Sequence, residues 1–194
     1  MIAYKISNRA KILFVGINPH PGSHWRGVPF SNNKMFWYLL NRAGLLNEAE
    51  SDLKNDESLK RIYDEKFIPK YGLNFVNLVD RPTVDVTLLA KGEEQMGVCH
   101  TIKLIRTHRP KVVCFIGKVT FNKFHGSREC DFGWQKKIEN TAVHPMHFPI
   151  RGLATLRDDA IQAVKRAADM DASNLIPDRK TPVRSNKSKM TVET

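Results

Sequence analysis

Short apolar runs closed by turn signals constrain this chain more than any other feature. Lys11 to Val15 leads into Gly16, Leu73 to Val79 leads into Asp80-Arg81-Pro82-Thr83, and Val112 to Gly117 ends on its own glycine. Such runs read as buried strands, because glycine admits dihedrals that end a strand and proline cannot donate to a sheet ladder. A fourth run near Asn140 to Val143 ends at His144-Pro145. Helical patterns separate the runs. Residues 34–46 put Met35, Leu39 and Leu40 on one face with Phe36 and Trp37 alongside, which gives these aromatics a core role. Glu93 to His108 carries Met96, Cys99, Ile102, Leu104 and Ile105, and a short helix is expected around Phe121 and Phe124. Thr155 to Met170 has an apolar stripe of Ala160, Ile161, Val164, Ala167 and Ala168, with Thr155 as its expected N-cap. Alternating strands and helices imply a parallel sheet covered on both faces.

Residues 48–66 are charge-rich with sparse apolar positions, and they read as a solvent-facing helix or an ordered excursion without assigned function. The 194-residue length suits one domain over 1–170, and the Pro-, Ser- and Lys-rich stretch 171–194 is expected to be a disordered basic tail. A formal charge of +11 biases the partners toward polyanions, nucleic acid first, with improved solubility as the simpler alternative. Cys99, Cys114 and Cys130 offer neither a disulfide framework nor CxxC spacing, so the chain reads as intracellular. The expected compartment is the cytoplasm and nucleoid, or the nucleus, depending on the organism. No signal core or membrane-length apolar run is present in the sequence. Walker, GxGxxG and GxSxG elements are also lacking, which argues against a hydrolase acting on free nucleotides.

In parallel sheets ligands bind at the carboxyl ends of the strands. The loops at Asn18, Asp80 and His144 each follow a strand, so one sheet edge is expected to gather them.

The residues in those loops resemble the mismatch-specific uracil and thymine DNA glycosylases of the uracil-DNA glycosylase superfamily. GINP at Gly16 to Pro19, GVPF at Gly27 to Phe30 and FW at Phe36-Trp37 are similar to that family's first motif and base-stacking segment. LVDRPT at Leu78 to Thr83 resembles a second family segment, and His144-Pro145 falls where the second motif begins. The likeness covers most of residues 11–169. It implies a three-layer α/β/α sandwich with a short, mainly parallel four-stranded sheet. The implied activity is monofunctional hydrolysis of the glycosidic bond of uracil in G·U-type mispairs, with thymine or other modified bases as alternatives. The partner would be double-stranded DNA holding a mispaired or damaged base, met by a monomer with no membrane association. No cofactor and no metal are implied.

The resemblance also distributes roles. Asn18 and His144 are the expected catalytic residues: Asn18 orients water, because an amide cannot take its proton at neutral pH, and His144 meets the base carbonyl as in other uracil glycosylases. Gly16, Ile17, Phe30 and Asn77 are expected at the base, with Phe30 stacking on it; Asn77 could instead satisfy a strand-end carbonyl. Met146, His147, Phe148 and Arg151 are expected at DNA, with Phe148 as the wedge or a lid and Arg151 on a phosphate. Asp80 is the rival base, with an ion pair to Arg81 or a turn as its structural alternative. Two departures stand out. His20 replaces the glycine that usually follows the first motif, and His144-Pro145-Met146-His147-Phe148-Pro149 departs from the Asn-Pro opening of mismatch-specific members. His20 with His24, and His144 with His147, lack a carboxylate or thiolate that would complete a metal site. Lys34, the lysine nearest the matched motifs, reads as a surface residue. A non-catalytic DNA-binding or damaged-base-binding member of the same fold is the competing reading.

Overall fold

A computed structural model describes residues 1–127 and 130–170. Five strands form one sheet in the order β2-β1-β3-β5-β4. They are β1 (Ile12–Gly16), β2 (Leu73–Asn77), β3 (Val112–Ile116), β4 (Gln135–Ile138) and β5 (Thr141–Met146). All neighbours pair in parallel except β4 and β5. The sheet therefore has one strand more than the sequence suggested. Gln135-Lys136-Lys137-Ile138 lacks apolar alternation because it is a partly exposed edge strand, where lysines discourage further pairing.

Alternate side chains of the central strands feed two cores. Ile12, Phe14, Val112, Cys114 and Met146 face helices α2 (Met35–Arg42) and α7 (Ala154–Asp169). Leu13, Val15, Val113, Phe115 and Val143 face α5 (Gln95–His108) and α6 (Lys118–His125). The result is the expected three-layer α/β/α sandwich. Phe36 and Trp37 are fully buried, and Trp37 Nε1 donates to the Pro29 carbonyl at 2.7 Å, which ties α2 to the loop that presents Phe30.

Three local expectations change. The stretch after Pro19 is a short helix, α1 (Pro21–Arg26), rather than a loop; Pro21 opens it and His20 Nδ1 accepts from the Gly22 N–H at 3.1 Å. The charge-rich region is the ordered excursion rather than one helix: α3 (Glu50–Lys54), α4 (Asp56–Arg61) and a π-turn, with charged residues outward and the sparse apolar positions turned into the core. Leu53, Leu59, Ile62 and Phe67 are buried, each contributing about 1.5–3 kcal/mol by leaving water. Thr155 lies inside α7, whose N-cap position is Leu153. Among the described residues no helix is long and apolar enough to cross a membrane. The tail expected over 171–194 lies outside the described residues.

Candidate active site

The carboxyl ends of β1, β2, β3 and β5 share one edge of the sheet, and a cavity of about 650 Å³ opens there. Its walls come from the Asn18 loop, Phe30, Asn77, the Thr83–Val86 segment, the start of α6 and residues 147–151. The β1 and β2 loops run on as a ladder past the strands. Leu78 N–H donates to Gly16 O at 3.0 Å, Val79 N–H to Ile17 O at 2.8 Å, and Thr83 N–H to Pro19 O at 3.1 Å. Asn18 and Thr83 are thereby held side by side.

Their side chains form a directional chain. Asn18 Nδ2 donates to Thr83 Oγ1 at 2.7 Å, and Thr83 Oγ1 donates to the Asp85 carbonyl at 2.7 Å. With its only proton committed to Asp85, the Thr83 hydroxyl can only accept from Asn18. That assigns the amide: its N–H side faces Thr83 and the carbonyls of Pro19 and Arg81, which leaves Oδ1 as the acceptor on the cavity side. An acceptor so held can orient a water molecule without taking its proton.

Gly16 is buried at the end of β1 and does not line the cavity, whereas Ile17 does. A Cβ at Gly16 would lie 2.3 Å from Asn77 Oδ1, so the glycine is needed for the Asn77 amide to lean across the floor. Asn77 lines the cavity and donates through Nδ2 to Tyr4 Oη at 2.6 Å, not to a strand-end carbonyl. Phe30 forms a wall and adopts φ 55°, a left-handed backbone that is costly for a bulky residue. Its ring is packed against Phe36, Phe75 and Phe148 at centroid distances of 4.8, 5.6 and 5.8 Å, which fixes its orientation.

The β5 end departs from the sequence expectation. His144 is 4% exposed, lies inside β5 against Trp134, and does not line the cavity. Burial depresses its pKa to about 4, outweighing a small opposing effect of its own backbone, so the ring is neutral at pH 7. Met146 is fully buried in the core and cannot reach DNA in this arrangement. Phe148 packs on Phe30 as part of the cavity wall rather than projecting as a wedge. From the expected DNA-contacting set, His147 and Arg151 also line the cavity, with Ile150 between them in sequence. His147 stacks on Phe132 with ring centroids 3.7 Å apart, which orients the imidazole, and its edge lies close enough to Gly152 that an added Cβ there would come within 3.0 Å of it. Partial burial, then the positive charge of Arg157, lower its pKa.

Asp80 is exposed and outside the cavity, and Arg81 pairs with both oxygens of Glu93 at 2.8 and 2.7 Å instead of with Asp80. The carboxylate that does line the cavity is Asp85, held below the ordinary carboxyl range by hydrogen bonds from the Thr87 main chain and hydroxyl, with Arg151 adding attraction. Lys34 pairs with Asp56 at 2.6 Å, away from the cavity. Lys118 does line the wall, with its ammonium 6.0 Å above the Phe132 ring. Thr83, Asp85, Lys118 and Phe132 were not singled out by sequence; only Thr83 had a signal, as the end of LVDRPT. Among the described residues no group of three or more His, Cys, Asp or Glu side chains is arranged to hold a metal ion.

The family model described as the Uracil DNA glycosylase superfamily matches residues 4–157, and the chain belongs to that superfamily. The match spans every cavity residue named above. Membership carries hydrolytic DNA glycosylase activity toward uracil, with DNA as the substrate.

Proposed function

We propose, with membership of the uracil DNA glycosylase superfamily as the premise, that this chain is a monofunctional, mismatch-specific glycosylase acting on uracil opposite guanine in double-stranded DNA. The observation that carries the catalytic reading is the Asn18–Thr83–Asp85 chain, which turns Asn18 Oδ1 toward the cavity.

The uracil leaves the base stack and enters the cavity, because its glycosidic bond is out of reach inside a duplex. Phe30 stacks on it, an interaction worth roughly 1–3 kcal/mol by analogy with other base–aromatic contacts. The C1′–N1 bond breaks with its electron pair leaving on the base, and positive charge develops on the sugar. Water held by Asn18 Oδ1 adds to C1′, and its proton passes to solvent. Asn18 supplies orientation rather than basicity, so turnover is slow. His147 takes the part that the resemblance implied for His144: neutral near pH 7 and stacked on Phe132, it donates a hydrogen bond to the departing anion. Ile150, 47% exposed at the cavity rim, takes the wedge role in place of Phe148.

Single-turnover assays on duplexes with uracil opposite guanine or adenine, thymine opposite guanine, and hypoxanthine test the reading. The G·U duplex is expected to be cleaved fastest. Asn18→Ala is expected to lower that rate by about 10²- to 10³-fold while duplex affinity stays near wild type. Tight binding without cleavage by the wild type would overturn the catalytic reading and leave a DNA-binding member of the fold.

A further inference from the structure

His20 stands two residues after Asn18, in place of the usual glycine, and has no part in the reaction described above. Its surroundings are fixed. The Pro19 carbonyl accepts from Thr83 N–H at 3.1 Å, and the His20 carbonyl accepts from His24 N–H at 2.9 Å. The side chain caps α1, with Nδ1 accepting from Gly22 N–H at 3.1 Å. A backbone amide can only donate, so Nδ1 must present its lone pair, and the ring carries its proton on Nε2. That Nε2–H has no acceptor among the described residues, and His20, half-buried, lines the cavity.

Ser23, three positions along on the same face of α1, repeats the arrangement. It is 2% exposed, lines the same cavity, and its Oγ accepts from Asn32 N–H at 2.9 Å. Its hydroxyl proton also lacks an acceptor among the described residues. Both side chains therefore have an acceptor committed to a backbone amide and a proton to spare. Capping alone does not call for this, since serine or asparagine caps a helix at least as well. What histidine adds is the second ring nitrogen. Depth decides which part of a nucleotide it meets. Lys118 and Arg151 are exposed and suit phosphates that stay in solvent, whereas Ser23 is almost wholly buried, where only a flipped base reaches.

We propose that His20 is a further catalytic residue: its Nε2–H, backed by the Ser23 hydroxyl, donates to a carbonyl oxygen of the flipped base and steadies the charge that builds there as the C1′–N1 bond breaks. This inference rests on the glycosylase reading above. The electron pair leaves on the base and spreads over its ring nitrogen and both carbonyl oxygens, while the proton stays on Nε2. His20 reaches the cavity from the end of β1 and His147 from the end of β5, with β3 between those strands, so the two rings can serve different oxygens. A donor strengthens its bond as the acceptor turns anionic, so it acts on the transition state more than on the bound substrate.

His20→Ser keeps a cap on α1 and removes the ring. Single-turnover excision of uracil from a G·U duplex is expected to fall about tenfold, the effect of one lost hydrogen bond, with duplex Kd within about twofold of wild type. 5-Fluorouracil leaves as a more stable anion and needs less help, so its loss should shrink to about threefold. An equal loss for the two bases, or none for uracil, overturns the proposal, because a residue that only shapes the loop or holds a phosphate is blind to the leaving group. Nitrogen NMR of the His20 ring gives a reading independent of cleavage. The free protein should show the Nε2-protonated tautomer, and a G·U duplex whose uridine carries a 2′-fluorine to block departure should shift that Nε2–H resonance. An Nδ1-protonated ring, or an Nε2–H unmoved in the bound complex, overturns the proposal whether or not the protein cleaves DNA. A shifted resonance in a protein that cleaves no uracil duplex supports the His20 contact and overturns the glycosylase reading alone.

Discussion

The loops after β1 and after β5 start from the same edge of the same parallel sheet, yet only the first keeps the register that its sequence suggests. β1 stops at Gly16, and Asn18 projects into the cavity two residues later. β5 runs through His144-Pro145 to Met146, so the residue reaching the cavity is His147, three positions beyond the expected histidine. Proline was read as the end of the strand because it lacks an N–H for the ladder. In β5 that missing donor faces β4, whose ladder to β5 extends only to Gln135 opposite Val143, and the Pro145 carbonyl on the same side is satisfied by Gly133 N–H at 3.1 Å. No ladder bond is lost there, and the strand continues. A motif's letters locate a site only where the strand also ends at them.

The sharpest way to break this contrast is to titrate stability. His144 has a folded pKa of about 4 against an ordinary value of 6.5. Below pH 6.5 the unfolded chain binds a proton that the folded one refuses. Stability is therefore full above that pH and declines as pH falls toward 4, by about 3 kcal/mol in total. Urea unfolding of wild type and His144→Leu across this window should show the slope in the first and its loss in the second. The His144→Leu protein should still excise uracil at close to the wild-type rate. A cleavage-dead, normally folded His144→Leu would return the donor role to His144 and erase the difference between the loops.

The next test works from the other side of the register shift. His147→Ala is expected to lower single-turnover cleavage by about 10²-fold, the usual effect of removing a positioned donor or proton-transfer group. Because burial and Arg157 both oppose its charge, His147 stays neutral to a pH below the ordinary histidine value. Wild-type cleavage should be flat near pH 7 and fall only at more acid pH, as the ring gains a proton and becomes a different donor. His147→Ala should lose that acid limb. An unchanged pH profile in the variant would remove His147 from the chemistry.

How much was legible follows the same line. The Gly-Ile-Asn-Pro turn located Asn18 because glycine and proline end β1 whatever the rest of the fold does. Thr83 was visible only as a letter of LVDRPT; its task depends on β1 and β2 pairing in parallel and continuing that pairing past their ends, which links residues 65 positions apart. Phe30 was legible as an aromatic beside the motif, but its left-handed backbone was not. β4 was hidden because an edge strand half open to solvent needs no alternation. Phe132 and Tyr4 had no signal at all. Each acts by touching a residue far away in sequence, His147 in one case and Asn77 in the other.

The smallest expected effect concerns Arg151, where the β5 loop faces the β2 loop across the cavity mouth. Its main chain is fixed, since its N–H donates to Phe148 O at 2.8 Å and its carbonyl accepts from Arg157 Nη1 at 3.1 Å. Its side chain is exposed, and the Asp85 carboxylate on the opposite rim feels its charge. A cation in that place suits a DNA phosphate beside the flipped nucleotide, and a phosphate contact positions the duplex without reading sequence. Arg151→Ala should weaken binding to matched and mismatched duplexes alike and reduce the slope of log affinity against log salt by about one. Cleavage of the bound duplex should not change, because the residue touches neither the base nor the water. If instead the variant lost its preference for G·U while the salt slope stayed the same, Arg151 would be reading the base pair, and specificity would reside in the β5 loop.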